Sequence, residues 1–305
     1  MIREFASLHE MVATFPDEQA AIDHLRSIRW CNGAFCPHCG SVKVYHFADK
    51  RTHKCGDCRQ RFSIKVGTIF EDSKIGLHKW FMAIWLITSH KKGIASTQLA
   101  RDIAVTQKTA WFMLHRLRHA AETKSFNAPL SGEVEADETY IGGKEKNKHA
   151  DKRIPGSQGG AKKAIVFGVL ERGGELRVKV VPDTKANTLH RQIIENVQVG
   201  SNVMTDEHGG YIGLGGLFFN HHTVNHSIGQ YVKHYFIHTN GLEGAWSLFK
   251  RQVFGIHHFV SAKHLDRYLS EFTFRYNRRD AGEGERMNDF LGRTSGRLTY
   301  KELIA

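Results

Sequence analysis

Two cysteine pairs with matching spacing constrain the fold of this chain more than any other sequence feature. Cys36 and Cys39 form one C-x2-C pair, and Cys55 and Cys58 form a second pair fifteen residues later. Two tight turns that each present a cysteine pair supply the four soft ligands that zinc binds in tetrahedral geometry. The spacing therefore predicts a zinc ribbon over residues 31–70. Its metal is structural, because no coordination position remains for a substrate.

The remaining cysteine stands outside this pattern. All five cysteines of the 305-residue chain lie between positions 31 and 58. They are too few for a disulfide scaffold and serve one local site. Cys31 belongs to neither pair, and we expect it to be a small buried apolar residue rather than a metal ligand.

The charge balance indicates a polyanionic partner. The chain has 43 Lys plus Arg against 31 Asp plus Glu, a formal net charge of +12, and such an excess favours binding to nucleic acid. The longest apolar run, Trp80 to Ile87, is eight residues, far below the ~20 that cross a bilayer, so we expect no membrane partner. The first twenty residues lack a signal-peptide pattern, and we expect a cytoplasmic, nucleoid-associated protein.

Helical periodicity lies on both sides of the cysteine pairs. Within residues 1–30, apolar residues recur with a helical period that is interrupted at Pro16, which predicts two short helices. Residues 71–125 have a different pattern, in which a short apolar helix, a connection and a second helix opening at Thr106 follow one another. That succession is typical of a helix-turn-helix. A purely structural three-helix bundle is the alternative, because the pattern has no obligatory residue.

The second helix of a helix-turn-helix presents its first residues to base edges in the major groove. We therefore expect Gln107 and Lys108 to face bases. Arg116 and Arg118, further along the same helix, are expected to contact phosphates.

From Glu133 onward the periodicity changes to that of strands. Strand patterns at 134–141, 164–170 and 176–181 precede a helix at 188–197, a strand at 202–205 and late helices. This order is that of an RNase H-like fold, so we predict an α/β domain over residues 126–305. In such a fold the first and fourth strands are neighbours, and a later helix packs over their ends.

A basic, glycine-rich loop separates the first two strands of this domain. Residues 142–163 include Lys144, Lys146 and Lys148 with few acidic residues. We expect the loop to bind DNA phosphates and to be mobile until it does.

Three acidic residues of the domain are the candidate catalytic groups. Asp137 lies in the first strand, Asp206 ends the fourth, and Glu243 lies in the first turn of a late helix. Carboxylates that the fold brings together repel one another, and divalent cations remove that conflict. Hard oxygen ligands suit Mg²⁺ or Mn²⁺. Two ions ~3.5–4 Å apart activate the attacking oxygen and stabilise the leaving oxygen of a phosphodiester.

The late helix offers further groups on the same face. Lys250 follows Glu243 by seven residues, about 700° of helical rotation, so the two side chains share a face. Lys250 and Arg251 are therefore expected to hold a DNA phosphate. The segment beginning at Asn240 has the form of a capping box, so a capping role is an alternative for Glu243. Trp246 is expected to be a core residue rather than a base-stacking one.

Motifs over nearly the whole chain are similar to those of one family. They are the zinc ribbon, the helix-turn-helix, EADETYIGG at 135–143, TDEH at 205–208, HTNGLEGAWSLFKR at 238–251 and FRYN at 274–277. Together they closely resemble bacterial insertion-sequence transposases of the ISXO2-like group. The resemblance implies a DDE-type DNA transposase that nicks the transposon ends and joins the freed 3′-hydroxyls to target DNA.

The resemblance also assigns roles by position. Asp137 and Asp206 match the first two acids of the family, and Glu243 matches the third. Some members use Asn at the third place, so Asn240 is a rival ligand, although the spacing to Lys250 favours Glu243. The ribbon and helix-turn-helix are then expected to bind the terminal inverted repeats in double-stranded DNA. Pairing two ends indicates a homodimer or higher oligomer.

Two other functions remain open on the sequence. One is a catalytically idle, transposase-derived protein that binds DNA sequence-specifically, and the presence of all three acids argues against it. The other is an RNase H-like nuclease, which would cleave without joining.

Overall fold

The computed structural model describes residues 3–122, 128–143, 149, 151, 153, 163–217, 219–225, 232 and 236–304. The chain forms two compact units. Met1–Glu122 with Arg278–Ala305 is the first, which we call the N-terminal unit, and Thr123–Asn277 is the second, which we call the sheet unit. No helix within the described ranges is long and apolar enough to span a membrane.

Two short helices open the N-terminal unit. α1 (Leu8–Thr14) and α2 (Glu18–Arg29) are separated at Pro16, as the apolar periodicity predicts. Asp17 is the N-cap of α2, and its carboxylate accepts a hydrogen bond from the backbone N–H of Ala20 at 2.8 Å. The cap satisfies one of the N–H groups that have no partner within the helix. The proline and the cap together fix where α2 begins.

A three-stranded antiparallel sheet forms the ribbon. Its strands, in spatial order, are β1 (Val44–His46), β2 (Thr52–Cys55) and β3 (Arg61–Ser63). The first cysteine pair lies in a tight turn, closed by a hydrogen bond from Gly40 N–H to the Cys36 carbonyl at 2.9 Å. The second pair begins at the end of β2, where Cys55 N–H donates to the Gln60 carbonyl at 3.0 Å.

Three helices follow the ribbon, namely α3 (Leu77–Ser89), α4 (Ser96–Asp102) and α5 (Gln107–Ala120). Thr106 is the N-cap of α5, and its hydroxyl accepts a hydrogen bond from Thr109 N–H at 3.2 Å. The connection between α4 and α5 turns at Ala104, whose φ is +50°. The predicted succession of a short helix, a turn and a second helix opening at Thr106 is therefore present.

The N-terminal unit also contains the last two helices of the described chain, α9 (Glu283–Gly292) and α10 (Tyr300–Ile304). α9 packs against α2 and α3. Asn288 hydrogen-bonds to His24 at 2.7 Å, and Arg286 donates to the Thr88 carbonyl at 3.1 Å. The strand pattern predicts a domain that continues to 305, whereas the sheet unit ends at Asn277. The difference arises because the apolar face of α9 packs against helices far back in the chain.

A mixed five-stranded sheet forms the centre of the sheet unit. Its strands are β4 (Glu133–Ile141), β5 (Ala164–Glu171), β6 (Leu176–Val181), β7 (Asn202–Thr205) and β8 (Asn220–Thr223). The spatial order is β6-β5-β4-β7-β8. The β4–β5 and β5–β6 pairs are antiparallel, and the β4–β7 and β7–β8 pairs are parallel. This is the predicted RNase H-like arrangement, with the first and fourth strands of the unit side by side.

Edge strand β8 is absent from the sequence prediction, which treats residues 207–238 as irregular. Its sequence, Asn-His-His-Thr, has no alternation of apolar and polar residues. β8 forms through backbone pairing with β7, from Asn202↔Asn220 to Thr205↔Thr223. A strand held by its neighbour rather than by an apolar face leaves no period-2 signal.

Helices cover the sheet on both faces, and they are α6 (Ala186–Asn196), α7 (Asn240–Gln252) and α8 (Leu265–Asn277). Successive residues of a strand point to opposite faces. Val134 and Ala136 of β4 pack in one core cluster with residues of α6, whereas Ile141 packs in the other with residues of α7 and α8. Odd-numbered residues of β4 therefore face α7.

Candidate metal centre and active site

The four predicted zinc ligands form one cluster. Their sulfur atoms all lie within 4.8 Å of one another. The Cys36–Cys58 and Cys39–Cys55 Sγ distances are 3.7 and 3.6 Å. A tetrahedron with Zn–S bonds of about 2.3 Å has edges of about 3.8 Å, so these separations fit a zinc ion. Within the described residues this is the one group of three or more Cys, His, Asp or Glu side chains close enough to hold a metal ion.

Cys31 is not part of the metal-binding cluster, as predicted, but it is more exposed than predicted. It lies outside the four-cysteine cluster, as expected, but it is exposed rather than buried. It lies in the turn that follows α2, where the chain leaves the helix for the ribbon. A small apolar side chain in such a turn has no neighbouring layer to cover it.

The start of α5 carries the two side chains that are predicted to face bases. Gln107 and Lys108 are exposed on its first turn. The Gln107 amide donates to the Ser96 hydroxyl at 2.9 Å, and the Lys108 ammonium lies 5.9 Å from the centre of the Tyr300 ring. The polar first turn that base reading requires is therefore accessible, and the base contact itself stays a prediction.

The two arginines of α5 are placed differently from their prediction. Arg116 and Arg118 are 5% and 1% exposed, so neither presents its guanidinium to a DNA phosphate in this structure. Arg116 donates to the carbonyls of Ile69 at 2.7 Å, Glu71 at 2.9 Å and Leu298 at 3.1 Å. Those carbonyls belong to distant segments of the chain, and Arg116 ties them to α5.

Strand register brings the first two predicted acids together. β4 and β7 are parallel, with Glu135 opposite Met204. Continuing that register by two residues places Asp206, just beyond the end of β7, level with Asp137. The Asp137 side chain points to the face of the sheet covered by α7, since residues two apart on a strand share a face and Ile141 packs against α7. Asp137, in the middle of β4, and Asp206, directly after the end of β7, therefore lie beside one another.

Burial and like charge perturb the ionisation of this pair. Burial, together with the neighbouring charges of Glu138 and Asp206, raises the pKa of Asp137 to about 7. The indole Nε1–H of Trp246 donates to Asp137 Oδ2 at 2.9 Å. Asp137 is thus held by a neutral donor.

Trp246 is a buried residue of α7, as predicted, and it lies directly over β5. It is 3% exposed. Gly168 on β5 is the cross-strand partner of Asp137. A Cβ atom at position 168 would come within 2.7 Å of two ring atoms of Trp246. The absence of a side chain at Gly168 is therefore what allows the indole to reach Asp137.

Glu138 is a site residue that the sequence prediction misses. It follows Asp137 on β4 and faces the other side of the sheet. The hydroxyl of Tyr211 donates to its Oε2 at 2.6 Å, and His208 Nδ1 lies 3.6 Å from its Oε1. Burial raises the pKa of Glu138, and the bond from Tyr211 opposes the shift. The sequence signal that could have identified Glu138 is an acidic residue at a buried position of a strand.

The third acid lies on α7, and the structure does not group it with the aspartates. Glu243 Oε1 accepts a hydrogen bond from the Thr239 hydroxyl at 3.0 Å. The N-cap of α7 is Thr239 rather than the predicted Asn240, which is the exposed first residue of the helix. Glu243 is half-buried. The side chains of Asp137, Asp206 and Glu243 do not lie within one metal-sized cluster in the described structure.

Basic residues continue along the same helix. Lys250 is half-buried and Arg251 is exposed, both in the last turn of α7. Glu243 and Lys250 therefore share one helix, as their spacing requires. Lys144, Lys146 and Lys148 of the basic loop lie outside the described residues.

The strand order of the sheet unit defines an RNase H-like fold. A family model described as the ISXO2-like transposase domain matches residues 129–277, and one described as the transposase zinc-ribbon domain matches residues 16–61. A protein of Halobacterium salinarum, described as uncharacterized and encoded in transposable element ISH50, is 30% identical over 277 residues. The match covers 87% of this chain and 92% of that protein. The chain belongs to the ISXO2-like transposase family.

Solved complexes of Mos1 transposase are more distant. A pre-cleavage Mos1 transpososome has 13% identity and a TM-score of 0.27, covering 72% of this chain and 80% of that chain. A paired-end complex with the left transposon end has 14% identity and a TM-score of 0.28, with the same coverage. The fold assignment depends on the strand order of the sheet unit and not on those structures.

Proposed function

We propose that this chain is a DNA transposase that binds the terminal inverted repeats of its insertion sequence, nicks their 3′ ends and joins them to target DNA. The observation that supports the proposal most directly is the pair Asp137 and Asp206. Asp137 lies on β4, and Asp206 directly follows the neighbouring parallel strand β7, level with Asp137 when the strand register is continued. The charge of Asp206 contributes to the raised pKa of Asp137, after burial and the charge of Glu138.

The two aspartates fit a divalent cation. Their side-by-side carboxylates repel, and oxygen ligands of this kind suit Mg²⁺ or Mn²⁺. Asp137 and Asp206 would hold the metal, with Glu243 or Asn240 as the third ligand. When bound, two such ions would activate the attacking oxygen and stabilise the leaving oxygen of an in-line displacement at phosphorus.

The protein's own residues position the substrate and the ligands. The Trp246 indole N–H fixes the orientation of the Asp137 carboxylate. Lys250 and Arg251, on the helix that carries Glu243, hold the phosphates that flank the scissile bond. Gln107 and Lys108 read base edges of the terminal repeat from the first turn of α5. Contacts to bases specify the site, and contacts to phosphates set the register.

Pairing of two transposon ends requires more than one chain, and we propose a homodimer or higher oligomer as the active assembly. Lys144, Lys146 and Lys148 add phosphate contacts. Because phosphate binding releases counterions, end-binding should weaken steeply with salt. A variant with all three lysines changed to alanine should have a shallower salt dependence. If the affinities of the variant and the wild type fall equally steeply with salt concentration, the loop does not contact the DNA phosphates.

The test uses labelled terminal-repeat DNA, supercoiled target DNA and Mg²⁺. Wild type should produce nicked and joined products, and Asp137→Asn should reduce nicking at least about a thousandfold, which is about 4 kcal/mol of barrier. Glu195→Gln, which removes a half-exposed carboxylate of α6, is the matched control and should stay active. Equal nicking by wild type and Asp137→Asn would refute the catalytic assignment.

The same assay distinguishes the remaining alternatives. Asn240→Ala and Glu243→Gln, tested separately, identify the third ligand as the one whose loss abolishes nicking. Repeat binding by wild type without nicking would support a catalytically idle DNA-binding protein. Cleavage without a joined product would support an RNase H-like nuclease.

A further inference from the structure

A buried ionic network joins β4 to the start of α7. Arg172 lies in the turn after β5, where its Nε donates to Glu135 Oε1 at 2.9 Å and its Nη1 donates to Glu133 Oε2 at 2.7 Å. The two glutamates differ in environment, since the side chain of Glu135 is 1% exposed and that of Glu133 is 42% exposed. The buried glutamate has further partners, one of which is His238, whose Nδ1 lies 3.2 Å from Glu135 Oε1.

Another partner of Glu135 is the first turn of α7. Glu135 Oε2 accepts a hydrogen bond from the backbone N–H of Leu242, in the first turn of α7, at 2.8 Å. The first N–H groups of a helix have no partner within it, and a side chain at the N-cap usually supplies one. The N-cap here is Thr239, whose side chain makes no capping bond to the backbone. The helix is capped instead by a carboxylate from a strand that precedes it by more than a hundred residues.

The same arginine fixes the segment that leads into α7. Arg172 Nη1 donates to the Phe236 carbonyl at 2.6 Å, and its Nη2 donates to the His238 carbonyl at 2.9 Å. The path of the chain into the helix and the first turn of the helix are thus both attached to one strand and the turn beside it.

The backbone of α7 approaches Glu135 closely at Gly241. A Cβ atom at this position would lie 2.9 Å from Glu135 Oε2 and 3.0 Å from a methyl carbon of Leu170. The carboxylate cannot move aside freely, because Arg172 and Leu242 N–H both hold it. Only glycine permits this approach without a shift of the helix or of the carboxylate.

We propose that Glu135, oriented by Arg172, is a positioning residue that sets the separation between β4 and α7. Glu135 lies two residues before Asp137 on the same face of β4, and Asn240 and Glu243 lie in the turn of α7 that Glu135 caps. The inference rests on the proposed function. The bond at Leu242 would then control how closely the third ligand approaches the two aspartates, and a misplacement of 1 Å at a reacting centre costs ~10²-fold in rate.

The test combines amide hydrogen exchange of the protein without DNA with the nicking assay. Glu135→Gln has one side-chain oxygen in place of two, so it cannot accept from both Arg172 Nε and Leu242 N–H, and it loses the charge that pairs with Arg172. We expect faster exchange in the first turn of α7 and a nicking rate at saturating DNA that falls ~10²-fold, with unchanged Kd for terminal-repeat DNA. Glu133→Gln is the matched control, since it removes a carboxylate bound to the same arginine without uncapping the helix.

Gly241→Ala perturbs the same contact from the helix side and should reproduce both effects. Gly244→Ala lies one turn onward on the same helix, where a Cβ would meet no atom within 4 Å, and should retain wild-type exchange and nicking. Circular dichroism melts verify that each variant is folded. If Glu135→Gln fails to fold, Gly241→Ala decides the outcome.

In the Glu135→Gln and Gly241→Ala variants, two outcomes would overturn the inference. One is wild-type exchange at α7 in Glu135→Gln and Gly241→Ala, and the other is faster exchange in these variants with full nicking activity. Loss of nicking in Glu133→Gln equal to that in Glu135→Gln would also overturn it, because the arginine rather than the helix cap would then be responsible. A wild-type protein that never nicks defeats the proposed function instead, and the exchange measurement alone then decides whether Glu135 positions α7.

Discussion

The zinc ribbon and the acidic end of the sheet unit assemble their ligand groups in opposite ways. The ribbon takes four cysteines from one short segment, and their sulfur atoms already have tetrahedral separations. The proposed acidic site takes Asp137 from β4, Asp206 from the residue after β7 and Glu243 from α7, and continuation of the strand register aligns the first two only. Local spacing is sufficient for the first site, whereas the second depends on long-range packing.

Charge explains much of this contrast. Thiols can approach one another while protonated, so the ribbon geometry carries little electrostatic cost before metal binds. Carboxylates ionised at neutral pH repel at short range, and burial makes their ionisation costlier still. Burial first, and then the charges of Glu138 and Asp206, raise the pKa of Asp137 to about 7. The ribbon should therefore lose stability when a ligand is removed, and the acidic site should gain it.

The largest effect is expected for a ribbon ligand. Cys36→Ser should abolish stoichiometric zinc binding, because structural zinc contributes about 10 kcal/mol or more to the folding of such domains. Zinc analysis of the purified protein and amide exchange in residues 36–63 measure the loss, and exchange in the sheet unit should stay unchanged. Cys31→Ser, which changes the exposed cysteine outside the cluster, is the control. Full zinc content in Cys36→Ser would contradict the site.

At the acidic site, removal of a ligand should raise the free energy of unfolding rather than lower it. The folded-state pKa of Asp137, about 7, is above its ordinary value of 3.8. The folded protein therefore binds the proton more tightly, and an ionised Asp137 costs stability increasingly as pH rises from 3.8 to about 7. Asp137→Asn should raise the free energy of unfolding of the sheet unit by about 1–3 kcal/mol above neutral pH.

The free energy of unfolding of Asp137→Asn should exceed that of wild type by less at acid pH, where the wild-type carboxyl is protonated and therefore neutral as well. Chemical denaturation followed by sheet-unit amide exchange at two pH values, without added Mg²⁺, measures it. If Asp137→Asn is less stable than wild type at high pH, favourable contacts hold the ionised carboxylate. The two sites would then respond to ligand removal in the same direction, contrary to the expectation.

A smaller change is expected where the acidic site depends on close packing. Gly168→Ala places a methyl group within 2.7 Å of the Trp246 ring, and overpacking of this kind costs about 1–3 kcal/mol. Displacing the indole should also break its hydrogen bond to Asp137 and change the tryptophan fluorescence. Gly244→Ala, in open space on α7, should leave the fluorescence unchanged and should not lower the free energy of unfolding, because alanine favours a helix over glycine by about 1 kcal/mol. Identical spectra for Gly168→Ala and wild type would contradict the contact.

The smallest effect is expected for an exposed charge beside the ribbon. Asp57 accepts a hydrogen bond from Ser41 at 2.7 Å and pairs with Lys43 at 3.4 Å, and its pKa is lowered by the Ser41 bond and then by Lys43. Such exposed pairs contribute little and are screened by salt. Asp57→Asn should change zinc affinity by no more than about threefold. Competition with a chromogenic chelator measures the change, and a tenfold loss would mean that nearby charge matters at both sites.

The sequence was most informative where a signal is local or strongly periodic. The cysteine spacing located the ribbon, the break at Pro16 separated α1 from α2, and the strand at 202–205 coincides with β7. Strand order then placed Asp137 beside Asp206. These predictions need only neighbouring residues or a known succession of elements.

The sequence was least informative where a distant segment decides the environment of a side chain. Arg116 resembles a surface cation on its helix, but its partners include the carbonyl of Leu298, far along the chain. Glu135 resembles an ordinary strand residue until α7 is placed above it. Nothing in the local pattern around either residue records those partners.

The division of the chain into units has a consequence for protein synthesis. His24 finds its partner Asn288 only after the whole of Thr123–Asn277 has been translated. The contacts of α9 with α2 can therefore form only after the whole sheet unit has been synthesised. A chain truncated near residue 277 would carry Asp137, Asp206 and Glu243 but would lack α9 and α10, so His24 would lose its hydrogen bond to Asn288.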